Sequence, residues 1–176
     1  MAAAGRDLVV PAERAQAFIV GALVALGLPE PDAHTCAQRI AEADLRGVDT
    51  HGIFRLPHSA RRIQAGGINR HPRVCPVHEA PVDGDNGMGH VVMTAATELA
   101  IRKAAQSGLA WVGVCNGNHA GPAAVYSTMP LAHDTIGTSM TVANANHMAT
   151  TVSSDGKIVL TAQKGEAAPR ATGSTW

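Results

Sequence analysis

The segment 44–57, DLRGVDTHGIFRLP, places an imidazole and a guanidinium close together in one turn-like stretch. His51 precedes Arg55 by four residues, and an imidazole can donate a proton to a carbonyl oxygen near neutral pH. A guanidinium can hold a carboxylate through two parallel hydrogen bonds, and Thr50 could orient the imidazole. A proton donor and a carboxylate clamp are the minimum needed to reduce a 2-oxo acid. A capping turn with a surface arginine and a structural histidine fits the same spacing.

Two further segments carry polar side chains at predicted strand ends. In VCNGNHAGPAAVY (114–126), Asn118 and His119 follow a strand, and a helix begun by Pro122 would offer free N–H groups to a phosphate or carboxylate. In TVANANHMA (141–149), Asn144 and Asn146 could bond a nicotinamide carboxamide or ribose. An ordinary strand-to-helix loop and an Asx-type turn remain open as alternatives.

Apolar spacing and turn residues predict an α/β chain. Helices are predicted over 11–27, 31–46, 56–65 and 91–107, with a further helix from Pro122. Phe18, Ile19, Ala22, Leu23 and Leu26 should form the apolar stripe of the first helix, and Leu45, Ile53 and Met93 are predicted core residues. Strands are predicted at Leu109–Cys115 and Ile136–Ala143, which makes 109–143 a β-α-β unit with parallel strands. The segment 73–92 is predicted to be a hairpin or meander with strand residues Val74, Val77 and Val82 and a DGDNG turn, and KIVLTAQ could add one more strand.

The composition excludes several classes of function. Lysine plus arginine and aspartate plus glutamate each total 14, which gives no electrostatic case for nucleic acid or an anionic membrane. The nine histidines include no HxH or HxxxH pair, so no metal site is predicted. The sequence contains no GxGxxG, Walker or GxSxG motif. Three cysteines without CxxC spacing and no signal-peptide pattern predict a reduced cytoplasmic protein.

Five blocks, in one order over about residues 10–157, resemble the malate/L-lactate dehydrogenase type 2 family. That family includes ureidoglycolate dehydrogenase, 2,3-diketogulonate reductase and the Δ1-piperideine-2-carboxylate reductases. ADLRGVDTHGIFRLP resembles its D-x-x-G-x-x-S-H-G-x-x-R block, and AGGIN resembles the segment that follows. VDGDNGMGH, NGNHAG and ANANHMA resemble its D-G-x-x-G-x-G, N-S-N-H-F-G and T-N-A-N-P-x-M-A blocks.

The resemblance implies an oxidoreductase that uses NAD or NADP to interconvert a small 2-hydroxy acid and its 2-oxo acid, on a non-Rossmann α/β fold. It implies a homodimer or a higher homo-oligomer. His51 and His119 match the family's proton-transfer histidines, Thr50 stands where a serine is usual, and Arg55 matches the arginine that binds the substrate carboxylate. The implied cofactor-binding residues are Asn118, His119, Ala120, Gly121, Asn144 and Asn146. Reduction of a cyclic imine carboxylate is an alternative reaction.

The resemblance also predicts the domain organisation. Residues 1–72 should form the helical part of a substrate and dimerisation domain, and 73–157 an incomplete α/β cofactor domain. Residues 158–176 should be a divergent tail, because VLTAQKGEAAP stands where the family's G-T/N-N-P block is expected. The tail should also be disordered, because KGEAAPRATGSTW has no periodicity. Family members are considerably longer. A truncated chain that binds or associates without turnover is therefore a second hypothesis.

Overall fold

The computed structural model describes residues 9–76, 81–142, 147–151 and 157–164. Three helices come first, α1 (Ala12–Ala25), α2 (Glu30–Leu45) and α3 (Leu56–Gln64). Two 3₁₀ turns, Asp49–His51 and Ile53–Arg55, join α2 to α3. The rest follows in the order β1 (Cys75–Pro76), β2 (Pro81–Asp83), α4 (Gly89–Ser107), β3 (Leu109–Cys115), α5 (Ala123–Ser127), a 3₁₀ turn at Met129–His133, β4 (Thr135–Val142), β5 (His147–Thr151) and β6 (Lys157–Lys164). The chain is an α/β protein, as predicted.

The first two helices form where proline and acidic residues favour a helix start. Pro11 and Pro29 stand immediately before α1 and α2, and Glu13 and Glu30 lie in their first turns, where a negative charge complements the helix dipole. The helices pack against each other. Their buried apolar residues, with those of α3 and the segments beside it, form one cluster: Ile19, Leu23, Leu28, Ala33, Cys36, Ala37, Ile40, Leu56, Ile63, Ile68 and Met88.

Three predicted core positions are wrong. Phe18 is 63% exposed, although Ile19 and Leu23 of the same predicted stripe are fully buried. Leu45 is 72% exposed because it is the last residue of α2, where the helix leaves the core. Ile53 is 37% exposed, and its backbone N–H donates to Asp44. Met93 is buried, as predicted.

The sheet has six strands in the order β1-β2-β3-β6-β4-β5. β2, β3, β6 and β4 pair in parallel, and β1 and β5 are antiparallel to their neighbours. The strands β3 and β4 therefore run parallel, as predicted, but β6 lies between them. KIVLTAQ does form a strand, so the prediction of a disordered tail is wrong for residues 158–164. Residues 165–176 lie outside the described part of the chain.

The hairpin prediction for 73–92 is confirmed only for its first half. β1 and β2 pair antiparallel, with Val82 in β2 and Val74 just before β1; Val77 lies outside the described residues. The DGDNG run comes after β2 rather than between the two strands, and α4 already begins at Gly89. Asp85 and Asn86 both have positive φ there, a conformation that aspartate and asparagine tolerate in turns.

A second apolar cluster lies where α4, β3 and α5 pack together. It consists of Val82, Val92, Met93, Ala96, Ala100, Ile101, Ala104, Ala110, Val112, Val114, Ala120, Val125 and Tyr126. The predicted domain division at 72/73 falls between α3 and β1, and it stays a prediction. In the described ranges, no helix is long and apolar enough to cross a membrane.

Candidate functional site

The segment that carries His51 and Arg55 is fixed to the end of α2 by one carboxylate. Asp44 Oδ2 accepts a hydrogen bond from the backbone N–H of Ile53 at 2.9 Å. A methyl group added to Gly52 would stand 1.6 Å from Asp44 Oδ1, so this close approach requires glycine. Asp44 begins the first family-like block, but its anchoring role was not predicted, because sequence spacing does not show which backbone group a carboxylate reaches.

The loops that follow β2 and β3 are joined to each other. Gly84 N–H donates to the Cys115 carbonyl at 2.9 Å, and Asn86 N–H donates to the Asn116 carbonyl at 2.8 Å. The Asn118 side-chain amide donates to the carbonyls of Asn86 and Gly87, at 2.9 and 2.8 Å. Asn118 is thus a structural anchor through its amide nitrogen. Any contact from Asn118 to a cofactor would have to use its side-chain oxygen or its main chain.

Two helices hold the loop at 116–121 in place. A methyl group added to Gly89, the first residue of α4, would stand 2.1 Å from the carbonyl oxygen of Asn118, so helix and loop backbone touch. From the other side, the buried hydroxyl of Tyr126 in α5 donates to the Ala120 carbonyl. α5 begins after Pro122, one residue later than predicted, and has only five residues. His119 is therefore presented by a fixed loop just beyond the carboxyl end of β3.

The structure brings His51 and His119 together. Their ring centroids lie 5.3 Å apart, with an angle of 34° between the ring planes. Both side chains are half-buried. The Thr50 hydroxyl contacts Nδ1 of His51 at 3.0 Å, as its predicted orienting role requires. Two groups that can exchange protons thus meet from segments far apart in the sequence.

A third histidine, His90 in the first turn of α4, was not predicted as a site residue. Its ring lies 6.4 Å from that of His119, centroid to centroid, at 81°. Burial, and then the nearby His119 and Arg39, lower the pKa of His90 to about 3, so it is neutral near pH 7. Sequence patterns showed His90 only as the last residue of VDGDNGMGH. Nothing in that motif distinguishes a buried histidine from an exposed one.

Arg55 is half-buried, and its Nε atom is buried without a hydrogen-bond partner among the described residues. Within that part of the chain it makes no ion pair. A buried cationic donor with unused capacity suits an anionic ligand such as a carboxylate. Ala120 and Gly121 lie on the fixed loop beside His119, whereas Asn144 and Asn146 lie outside the described residues.

Two observations limit other interpretations of the site. In the described ranges, no group of three or more His, Cys, Asp or Glu side chains is arranged to hold a metal ion. A cleft of about 560 Å³ contains none of the predicted site residues; it is lined by Ala25, Leu26, Ile63, Gln64, Gly66, Ile68, Asn69, Arg70 and His71. The site is thus defined by side-chain chemistry on three fixed segments and not by that cleft.

Comparisons with known proteins identify the family to which the chain belongs. The family model described as malate/L-lactate dehydrogenase matches residues 10–147. The chain is 43% identical to malate dehydrogenase of Pyrococcus horikoshii over 136 residues, which are 75% of this chain and 38% of the relative. It is 38% identical to L-sulfolactate dehydrogenase of Methanocaldococcus jannaschii over 138 residues, 76% of this chain and 40% of the relative. It is 33% identical to the NAD(+) ureidoglycolate dehydrogenase of Escherichia coli over 127 residues, 70% of this chain and 36% of the relative.

The solved structure of the Pyrococcus horikoshii malate dehydrogenase superposes with a TM-score of 0.71 at 40% identity, covering 73% of this chain and 38% of that one. The matched family and the matched fold are both those of dehydrogenases. The chain belongs to the malate/L-lactate dehydrogenase family. It spans less than half the length of these relatives.

Proposed function

We propose that this chain supplies the proton-transfer and carboxylate-binding groups for the interconversion of a small 2-hydroxy acid and its 2-oxo acid with NAD or NADP. The observation that carries the proposal is the 5.3 Å separation of the His51 and His119 rings. The two histidines come from separate family-like blocks, and the fold brings those blocks together. Arg55, with its buried unpartnered Nε, stands on the same anchored segment as His51.

Each side chain has a distinct role in the reducing direction. Arg55 binds the substrate carboxylate through its guanidinium. His51 or His119 donates the proton to the oxygen at C2. Thr50 occupies Nδ1 of His51, so Nε2 is the His51 nitrogen suited to proton transfer. A bound nicotinamide supplies the hydride. Asn118, His119, Ala120 and Gly121, together with Asn144 and Asn146, are the residues proposed to bind the cofactor.

The names of the relatives support this class of reaction. Malate, sulfolactate and ureidoglycolate dehydrogenases are all named for substrates with a hydroxyl group and an acid group, and one name includes NAD(+). A cyclic imine carboxylate is a second substrate class, because it also offers a carboxylate to Arg55 and a carbon–nitrogen double bond that accepts a proton and a hydride. Both substrate classes and both cofactors therefore belong in the assay.

We further propose that the protein is a cytoplasmic homodimer or higher homo-oligomer. Large apolar side chains on the helical part are exposed, among them Phe18, Leu45 and Phe54 at 63%, 72% and 74%. Such side chains suit association with another copy of the protein. Cys36, Cys75 and Cys115 are free thiols, which suits a reducing compartment.

A chain that binds ligands without turnover is a second candidate. The observation in its favour is that the match covers only 36–40% of the relatives' lengths. Purified chain mixed with NADH or NADPH separates the two candidates. Enhanced cofactor fluorescence without oxidation by pyruvate, oxaloacetate or a cyclic imine carboxylate supports binding alone, whereas oxidation supports catalysis.

Replacement of Arg55 tests the carboxylate clamp. Loss of a charge-assisted bidentate contact costs about 2–3 kcal/mol, so Arg55→Ala should raise KM for a 2-oxo acid roughly 30- to 150-fold. The KM for the corresponding amide should change far less.

Arg61→Ala, which removes an exposed arginine of α3, is the matched control. In the absence of turnover, dissociation constants from NMR titration of the histidine signals replace KM. If Arg55→Ala changed KM equally for the acid and the amide, or no more than Arg61→Ala does, the proposed role of Arg55 would be refuted.

A further inference from the structure

His90 is a buried polar residue that the proposed chemistry leaves unexplained. Its side chain is 2% exposed, and neither ring nitrogen has a hydrogen-bond partner among the described residues. A buried polar group without a partner destabilises a fold, whereas an apolar side chain of similar size would not. An imidazole at this position is therefore expected to serve a purpose other than stability.

The surroundings of His90 point to His119. The two rings meet edge to face, with their centroids 6.4 Å apart. The loop that carries His119 closes over His90, because a methyl group on Gly121 would stand 3.3 Å from His90 Nε2. The close backbone contact between Gly89 and Asn118 fixes the start of α4 against the loop that carries His119. His119 thus has two imidazole neighbours, His51 at 5.3 Å and His90 at 6.4 Å between ring centroids.

The two neighbours of His119 differ in their burial. His51 is half-buried and contacts the hydroxyl of Thr50. His90 is fully enclosed beside Arg39, and burial together with His119 and Arg39 lowers its pKa to about 3. A neutral imidazole carries a fixed dipole, so in this edge-to-face contact His90 can favour one orientation and one tautomer of the His119 ring without taking its proton.

We propose that His90 is a positioning residue for His119, and that its buried neutral imidazole holds the His119 ring in one orientation and one tautomer. Proton exchange with a ligand is then confined to His119 and His51. This inference deepens the proposed function and rests on it for its catalytic meaning, but the tautomer of His119 can be measured without turnover. The competing explanation is that His90 only fills space in the core.

Nitrogen NMR of the histidine rings separates these two explanations. With ¹⁵N-labelled histidine, the two ring nitrogens of His119 should show the well-separated shifts of a single tautomer in the unmodified protein. His90→Leu keeps the side-chain bulk and removes both nitrogens, and it should move the two shifts towards each other. His90→Gln keeps a neutral dipolar group at similar reach and should restore the separation. Thr97→Val is the matched control, because it removes a buried hydroxyl of α4 that donates to the Met93 carbonyl within the same helix.

The outcomes are decisive in each direction. Unchanged His119 shifts in a folded His90→Leu variant would overturn the proposal. If His90→Leu does not fold, His90→Gln is compared with the shorter His90→Asn, and identical His119 shifts in these two variants would overturn it equally. Where the chain turns over, His90→Leu should lower kcat about tenfold or more with little change in KM, and His90→Gln should recover most of it. A single His119 tautomer that depends on His90, in a chain without cofactor binding or turnover, would support the positioning role while removing the proposed function.

Discussion

His119 has two imidazole neighbours, and burial gives them different chemistry. His51 is reached by the hydroxyl of Thr50 and remains half-buried, as expected for a residue that meets a ligand. His90 is enclosed in the fold, where a charged imidazole would lose its hydration. The three histidines therefore differ in burial because different elements surround them. The burial of His90 should be measurable in the pH dependence of the protein's stability.

The unfolding of the protein should depend on pH through His90. Its pKa is lowered to about 3 in the folded state by burial, His119 and Arg39, whereas an unfolded histidine has its usual value of about 6.5. Between these values the unfolded chain binds a proton that the folded chain does not. The free energy of unfolding should therefore fall, by up to about 1.4 kcal/mol per pH unit from this one group, as the pH falls from 6 to 4.

Urea denaturation of His90→Leu checks this prediction. The variant lacks the titrating group, so its stability relative to the unmodified protein should rise steadily as the pH falls. His58→Gln, at an exposed position in α3, should instead give a curve parallel to that of the unmodified protein. A parallel curve for His90→Leu would show that His90 is not buried as described.

The residue types that meet at the candidate site could be predicted from the sequence, but the burial of particular side chains could not. His51 and His119 were predicted by their chemistry and family-like blocks, and the structure brings them together. Asp44 and His90 were missed because their roles depend on contacts with segments distant in the sequence. The roles proposed for Asn144 and Asn146 stay predictions.

At the scale of elements, α5 is short but holds the loop that carries His119. It has five residues, yet its Tyr126 is fully buried and donates a hydrogen bond to the Ala120 carbonyl. Burial, the largest cause, raises the pKa of Tyr126 well above its usual value, so the hydroxyl remains a donor at ordinary pH. Because Ala120 adjoins His119, this contact connects the position of α5 to that of the loop that carries His119.

Removal of the Tyr126 hydroxyl should loosen that loop. Tyr126→Phe leaves the buried Ala120 carbonyl without its donor, at a cost of about 1–2 kcal/mol. Backbone amides of residues 118–121 should then exchange with solvent roughly 5- to 30-fold faster by hydrogen-exchange NMR. Thr97→Val removes another buried hydroxyl, one that bonds within α4. This variant should not accelerate exchange at residues 118–121 more than it does in α4. Equal acceleration throughout the chain in Tyr126→Phe would mean that the contact stabilises the fold generally and not the loop.

The long elements could be predicted from local patterns, but their arrangement could not. The helices α1, α2 and α4 were predicted to within about two residues, because apolar spacing and terminal proline or glycine mark their ends. β3 was predicted with its observed bounds. The position of β6 between β3 and β4 depends on pairing between distant strands, which no local pattern reveals.

At the scale of the whole molecule, β6 joins two parts of the sheet. On one side it pairs with β3, from Leu109↔Ile158 to Val114↔Gln163. On the other it pairs with β4, from Thr135↔Lys157 to Val142↔Lys164. Among the described strands, the β1-β2-β3 part and the β4-β5 part have no other connection by strand pairing. The integrity of the sheet therefore depends on these eight residues.

Two shortened chains test the importance of β6. A chain that ends at residue 156 should lose the cooperative urea transition and the amide protection of β3 and β4, because both strands lose a pairing partner. A chain that ends at residue 164 keeps β6 and should retain both properties. If the two chains unfold with the same midpoint and the same protection, β6 is not the strand that holds the sheet together.

The central place of a strand that comes late in the sequence has a consequence during synthesis. The ribosome delivers the chain from its N-terminus, so α1, α2 and α3 can begin to pack on one another as soon as they emerge. β3 and β4 emerge before the strand that must lie between them. Until Lys164 has left the ribosome, one edge of β3 and one edge of β4 remain unpaired in the nascent chain. Such edges can bind chaperones or pair with other chains and aggregate.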